Sequence, residues 1–320
     1  MLNWIVVGVG DIATRRVLPA IQTEPRSRLY GVVSRDPDKG RRWSERVWGT
    51  VEEALHDPEV QAVYVATPVA LHAPVALAAL GAGRHVLCEK PLAMNYPEAL
   101  AIVAAARQAG VRFGVAYYRR FYPKILRARD LLAAGAIGRP VLAELRCHLW
   151  FTGQDGGRAW LLDPALAGGG PLYDIASHRI DLLNFLFGPP VRVSAQLSNT
   201  VQGGAVEDSA TLLIEYQDGV RGLCDVRWNS KVFRDECRFL GVEGALDLTP
   251  LNDPPLATPG GVEHWPLPDN PHLPLIENFV AAVLDGAELV SSGETALATD
   301  AVTAAALAAD RSTQPAPRPG

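Results

Sequence analysis

The sequence predicts an α/β protein in two parts, a parallel-sheet domain over residues 1–120 and an α+β domain over 121–320 with a large, mainly antiparallel open sheet. Three observations predict it. At 320 residues the chain is too long for one ordinary core. Its first third alternates short β-branched apolar runs with alanine- and leucine-rich stretches of helical period. After about Tyr118 the apolar runs alternate with polar residues at period two instead.

In the first part the strand-like runs are "NWIVVGV", "RLYGVVS", "AVYVAT", "HVLCEK" and "RFGVAY". Between them, "ALHAPVALAALGAG" and "YPEALAIVAAARQAG" read as helices that close on glycine. Strands alternating with helices make βαβ units, hence a parallel sheet covered on both faces. In the second part a helix is expected from Tyr122 to Ala134, closed by Gly135. Then "RPVLAELRCHLWF", "VRVSAQLSNTV", "DSATLLIEYQDG", "VRGLCDVRWNSKV" and "ECRFLGVEGALDL" read as strands joined by turns such as "QDG" and "VEG". One helix, "PLYDIASHRIDLLNFLFG", interrupts them. Two more close the chain, near Leu273 to Asp285 and Gly293 to Ala309, the last a candidate to pack back on the first domain. The proline-rich stretch from Pro254 to Pro274 is expected to be an irregular excursion, and the tail "RSTQPAPRPG" to fray. An antiparallel sheet with one uncovered face invites a partner, so a homodimer or homotetramer through that sheet is expected.

The totals narrow the partners. A formal net charge of −5 leaves no basic footprint for nucleic acid or an anionic membrane. No apolar stretch reaches the roughly 20 residues of a membrane span. The chain begins directly in "MLNWIVVGVG" without a basic, cleavable leader, so a cytoplasmic enzyme is expected. The four cysteines, Cys88, Cys147, Cys224 and Cys237, form no CxxC pair or Cys/His cluster, which argues for reduced thiols and no metal site.

"VVGVGDIA" puts Gly8 and Gly10 at the end of the first strand and Ala13 in the third small position. This is the G-x-G-x-x-A form of the dinucleotide fingerprint. The first glycine makes the turn, the second lets pyrophosphate approach the backbone, and the small third residue packs helix on strand. Asp11 and Ile12 lie in the same cofactor-binding turn, and the domain is read as a Rossmann domain. The second strand ends "GVVSRDPDK", so Ser34 and Arg35 stand where the adenosine ribose is read, and Asp36 follows. An acid there suits the 2′-hydroxyl of NAD, whereas arginine's fork suits the 2′-phosphate of NADP. NADP(H) is the preferred reading. NAD(H) stays open, with Asp36 turned back or Arg35 stacked on adenine.

"HVLCEKP" places Glu89, Lys90 and Pro91 at the end of about the fifth strand. Ends of parallel strands face the ligand crevice in this class of sheet. An ammonium group there polarises a substrate oxygen and stabilises charge that develops during hydride transfer. The competing reading is a lysine snorkelling from a strand end. The Lys90–Pro91 bond is expected to be cis, as a device that aims the lysine.

"EKP" after "ATPVALHAPVALAALGAGRHVLC", followed by "VAYYRRFYP", "GAIGRP" and "AGGGPLYDIASHRIDLLNFLFG", resembles the glucose-fructose oxidoreductase/inositol dehydrogenase (Gfo/Idh/MocA) family over nearly the whole chain. The resemblance implies NAD(P)-dependent oxidation or reduction at a hydroxyl or carbonyl carbon of sugars, inositols and related polyols. It implies Lys90, His178 and Asp174 as catalytic residues. On a helix Asp174 and His178 share a face at i and i+4, and Asp181 is a second carboxylate able to orient the imidazole. By resemblance Thr67 and Pro68 line the nicotinamide–ribose side with His72 nearby, and Glu89 joins the cofactor contacts. Val69 stands where many relatives have asparagine. Tyr117 and Arg120 are expected at the substrate, with Arg119 beside them, although an arginine there could instead contact the cofactor or clamp the two domains together. Trp160 is a further substrate candidate, followed here by Leu161 where relatives often have arginine. The rival class is a dinucleotide-sensing regulator on the same scaffold, against which the presence of both Lys90 and His178 argues. A further alternative keeps its cofactor bound and interconverts substrates without net redox.

Overall fold

The computed structural model describes residues 1–154 and 157–313; the proline-rich tail lies outside them from residue 314 on. The chain forms two compact units. The first comprises Met1–Phe121, Ala165–Gly168 and Pro268–Leu297, and the second Tyr122–Pro164, Gly169–Leu267 and the chain from Ala298 onward.

The first unit is built on a six-stranded sheet of β1 (Leu2–Val7), β2 (Ser27–Val33), β3 (Val47–Trp48), β4 (Ala62–Val65), β5 (His85–Cys88) and β6 (Phe113–Val115). All neighbours are parallel, in the order β3-β2-β1-β4-β5-β6. Trp4, Ile5, Val6 and all of β4 are buried, as strands covered on both faces require. The two-residue edge strand β3 is too short to leave an apolar run and was not expected. The helix Tyr96–Ala109 shows how local chemistry sets an element. Asn95 caps it through Glu98 N, Pro97 fits the first turn, and Gly110 ends it at φ 67°. Such an N-cap is worth about 1 kcal/mol. The helix Leu273–Leu284 belongs to this unit, with Phe279 5.1 Å from the Trp4 ring.

The second unit carries an eight-stranded sheet: β7 (Pro140–Trp150), β8 (Pro190–Ser198), β9 (Ser209–Tyr216), β10 (Arg221–Arg227), β11 (Asn229–Gly241), β12 (Ala245–Asp247), β13 (Pro255–Thr258) and β14 (Gly261–His264). The order is β14-β13-β12-β11-β7-β10-β9-β8, antiparallel except for the parallel pair β7–β10. Along β7 the buried residues alternate as Ala143, Leu145 and Cys147, so one face is core. The opposite face carries paired charges, such as Arg146 between Glu144 and Glu236. The Pro254–Pro274 stretch is corrected here: it holds the hairpin β13–β14. Pro255 opens an outer strand, where a missing N–H costs the ladder least. The last helix runs Gly293–Thr313, four residues beyond the expected end. Among the described residues no helix is long and apolar enough to cross a membrane.

Candidate active site

Three strands of the first unit end together. Gly8 N donates to Val33 O at 3.0 Å and Ala66 N to Val7 O at 2.8 Å, which ties the ends of β1, β2 and β4. Gly8 has φ 95°, and a Cβ on it would lie 2.7 Å from Ala66 O, so only glycine fits. Gly10 differs: its φ is ordinary and a Cβ would meet nothing within 4 Å. Neither backbone nor packing demands glycine at that position, so the open space above the turn is what it preserves. Nearby, Thr67 Oγ1 is buried without a hydrogen-bond partner. A glycine-lined opening beside an unspent hydroxyl fits a dinucleotide whose phosphates approach the turn.

Beyond the turn, Ala13 is fully buried, and the helix contains a π-helical turn over Ala13–Val17. Asp11 is exposed, 3.4 Å from Arg15, and Ile12 is half-buried. At the end of β2, Ser34 Oγ donates to Asp36 O at 2.8 Å. The Asp36 carboxylate caps the helix Pro37–Arg41, accepting from Asp38 N and Lys39 N. Arg35 is exposed, with no side-chain hydrogen bond or ion pair among the described residues.

At the end of β5, Glu89 is the hub. Its Oε1 accepts from Tyr64 OH at 2.8 Å and lies 3.3 Å from His272 Nε2, while Oε2 accepts from Lys90 N at 3.3 Å. Burial alone would raise the carboxyl's pKa, but His272, Tyr64 and the Lys90 charge outweigh it and hold it below the usual range. The Tyr64 phenol is pushed well above its ordinary value by burial and by Glu89. The Lys90–Pro91 bond is cis, in agreement with the sequence reading. His72 is buried, with Nδ1 2.9 Å from Pro91 O and Nε2 3.0 Å from Thr67 O. Burial lowers its pKa against the opposing pull of the two carbonyls, and the ring sits between the ends of β4 and β5 with both nitrogens turned to the backbone. Lys90 itself is half-buried at the strand's carboxyl end.

After β6, Tyr117 is fully buried and Arg120 is 1% exposed. Arg120 donates to Val290 O at 2.8 Å and Thr295 Oγ1 at 2.7 Å, both in its own unit.

In the second unit, Gly170 is fixed by crowding: a Cβ would sit 2.0 Å from Glu207 O. Glu207 Oε1 also accepts from Gly170 N and Leu172 N, at 2.8 and 3.0 Å. This carboxylate anchors the entry to a π-helical turn, Leu172–Ala176, that leads into the helix Ser177–Phe187. Asp174 lies in the π turn and pairs with Arg158 at 3.0 Å. His178 and Asp181 are buried in the first turns of the helix that follows. Arg179 forms a buried pair with Asp235 at 2.8 Å. Trp160 is half-buried on the short helix Ala159–Leu162.

Sequence reasoning passed over Tyr64, His272 and Glu207. Nothing in the sequence around His272 marks it for a role. Its contact with Glu89 spans 183 residues, and no local pattern announces that.

The comparisons with known proteins agree with this geometry. The oxidoreductase family with an NAD-binding Rossmann fold matches residues 2–117, and the GFO/IDH/MocA C-terminal domain matches residues 125–247. The chain is 34% identical to the 1,5-anhydro-D-fructose reductase of Ensifer adhaerens over 77% of this chain and 75% of that protein. It is similar to the aldose-aldose oxidoreductase of Caulobacter crescentus, solved with glycerol, at TM-score 0.88 and 28% identity over 98% of both chains. GenD2 of gentamicin A biosynthesis, solved with NAD, superposes at TM-score 0.86 with 30% identity, covering 98% of this chain and 95% of its own. The chain belongs to the Gfo/Idh/MocA family and is an oxidoreductase with an NAD-binding Rossmann fold.

Proposed function

We propose that this oxidoreductase prefers NADP(H) and acts on a hydroxyl or carbonyl carbon of a sugar, inositol or related polyol. The observation that carries the reading is Lys90. It ends a parallel strand whose neighbours Glu89 and Pro91 are both pinned, in the same unit as the glycine turn and the unspent Thr67 hydroxyl. The nicotinamide, when bound, supplies or accepts the hydride. Lys90 polarises the substrate oxygen, and His178, oriented by Asp174 or Asp181, moves the hydroxyl proton. Gly8, Gly10, Asp11, Ile12, Thr67, Pro68 and Glu89 hold the cofactor. His72 acts by fixing the loops on either side of it. Trp160, Asp174 and His178 contribute to the substrate site, and the sugar and polyol names among the relatives support that substrate class.

The cofactor preference rests on the end of β2, where Asp36 is spent on a helix cap and Arg35 is left exposed. The second unit is assigned substrate binding and, through its open sheet, assembly into a homodimer or homotetramer. A cytoplasmic setting suits the four cysteines, which are free and buried. The test is turnover with NADPH and NADH against a panel of sugars, inositols, keto-sugars and dihydrodiols. Arg35→Ala should weaken NADPH binding about 10- to 150-fold, the loss of one charge-assisted hydrogen bond, and barely affect NADH. Equal losses for both cofactors, or a wild type that prefers NADH, refute the NADP assignment.

A further inference from the structure

Tyr118 is the unexplained residue of the first unit. Its ring is 7% exposed and lies 4.6 Å from the His272 ring. The guanidinium of Arg119 stands 4.8 Å from its centroid and that of Arg16 5.6 Å. Neither arginine forms an ion pair with a carboxylate among the described residues, and Arg119 Nε and Nη1 are buried without a hydrogen-bond partner. Glu89, the carboxylate at the adjoining strand end, is already engaged by Tyr64 and His272. Gathering like charges around one ring costs stability, and leaving buried guanidinium donors unmatched costs more. Burial would raise the Tyr118 phenol, yet Arg119, Arg16 and Lys90 outweigh it and hold it below its ordinary value, so the local field is strongly positive. Arg16 also hydrogen-bonds Tyr118, but stacking does not account for the two buried Arg119 donors, because a cation over a ring satisfies none of its N–H groups.

We propose that Arg16 and Arg119, gathered on the Tyr118 ring, bind an anionic group of the substrate, a carboxylate or phosphate on the sugar-like molecule. Sheet order argues for substrate over cofactor. Arg35 follows β2, whereas Lys90 and Arg119 follow β5 and β6 on the other side of β4, and Arg16 reaches the same ring from the helix after β1. A planar guanidinium fork matches either anion in two-pronged fashion. This rests on the oxidoreductase reading above and narrows its substrate class to sugar acids or sugar phosphates.

The experiment pairs each anionic compound with its neutral parent: gluconate with sorbitol, galacturonate with galactose, glucose 6-phosphate with glucose. Binding to the NADPH-loaded protein is followed by quenching of nicotinamide fluorescence, and turnover is measured alongside. At least one anionic member should bind more than about 10-fold tighter than its parent, and the margin should shrink as salt rises. Arg119→Gln should remove most of that preference, Arg119→Lys should restore part of it, and NADPH affinity should stay near wild type in both. Arg16→Gln, on a half-buried residue less critical to folding, should erode the same preference. Neutral parents binding as well as the anions overturns the proposal. So does a preference that survives in both glutamine variants, or variants that weaken NADPH alone. Anion preference without turnover of any compound would count against the oxidoreductase reading while supporting the site. Turnover of neutral sugars with no anion preference would do the reverse.

Discussion

Lys90 and Lys124 are both lysines drawn into the protein, one in each unit, and they are held in opposite ways. Lys124 is fully buried on the helix Pro123–Ala133. Its Nζ donates to Leu248 O, Pro250 O and Asp253 O at 2.7, 2.6 and 2.6 Å. Three donors meet three carbonyls, and the ammonium is spent on shaping the 248–253 loop. Burial pushes its pKa down to about 8. At Lys90 the neighbours are anchored: Glu89 is held by Tyr64 and His272, and Pro91 O by His72. The residue between them stays half-buried at a strand end. A lysine whose donors are consumed by carbonyls is a structural pin; Lys90, between two pinned neighbours at a strand end, is the one proposed to meet the substrate oxygen.

The comparison breaks first at Lys90. Lys90→Met should leave cofactor binding nearly intact and reduce turnover by about 10²–10³, the usual cost of removing one preorganised donor. Under the proposed roles, in which both act on one substrate oxygen, the losses from Lys90→Met and His178→Ala should not multiply. Near-native turnover in Lys90→Met would make that lysine a pin as well.

Lys124→Met should behave conversely, lowering the unfolding free energy by about 2–4 kcal/mol as three carbonyls lose their donor, with kcat per folded molecule unchanged. Urea denaturation beside single-turnover kinetics reads both quantities, and a stable but slow variant would erase the distinction.

The smallest effect sharpens the contrast on the same helix. Arg127 donates to both oxygens of Glu263 at 2.9 Å, near the surface. That bond, with one from Trp265, lowers the Glu263 carboxyl from 4.5 to about 2. A depressed carboxylate stabilises the fold fully above pH 4.5, and the contribution fades as pH falls toward 2. Glu263→Gln should therefore lower stability at and above pH 4.5, neutral pH included, by a small margin that closes as pH falls toward 2. An unchanged slope there would show that the fork contributes nothing.

Legibility in the sequence followed the range of the interaction. The glycine turn, the end of β5 and the cap at Asn95 are written in a few consecutive residues, because a tight turn, a strand end and a helix start are each decided by neighbours in the chain. The hairpin β13–β14 was hidden by its prolines, since pairing partners set nine residues apart, such as Pro255 and His264, leave little periodicity between them. Lys124 gave no signal at all; its three acceptors lie more than 120 residues away.

By itself the sequence determined the family, the Rossmann sheet, the residue at the end of β5 and the Asp174–His178 spacing, all of them consequences of local period and short motifs. Only the tertiary structure decided what surrounds them. It turned His72 to the backbone, tied Arg120 to Val290 and Thr295, joined Glu89 to His272, and set Arg16 and Arg119 on one tyrosine. The physical reason is that a buried polar group must find its partner wherever the folded chain brings one, and that partner's sequence position is unconstrained by the residue it serves.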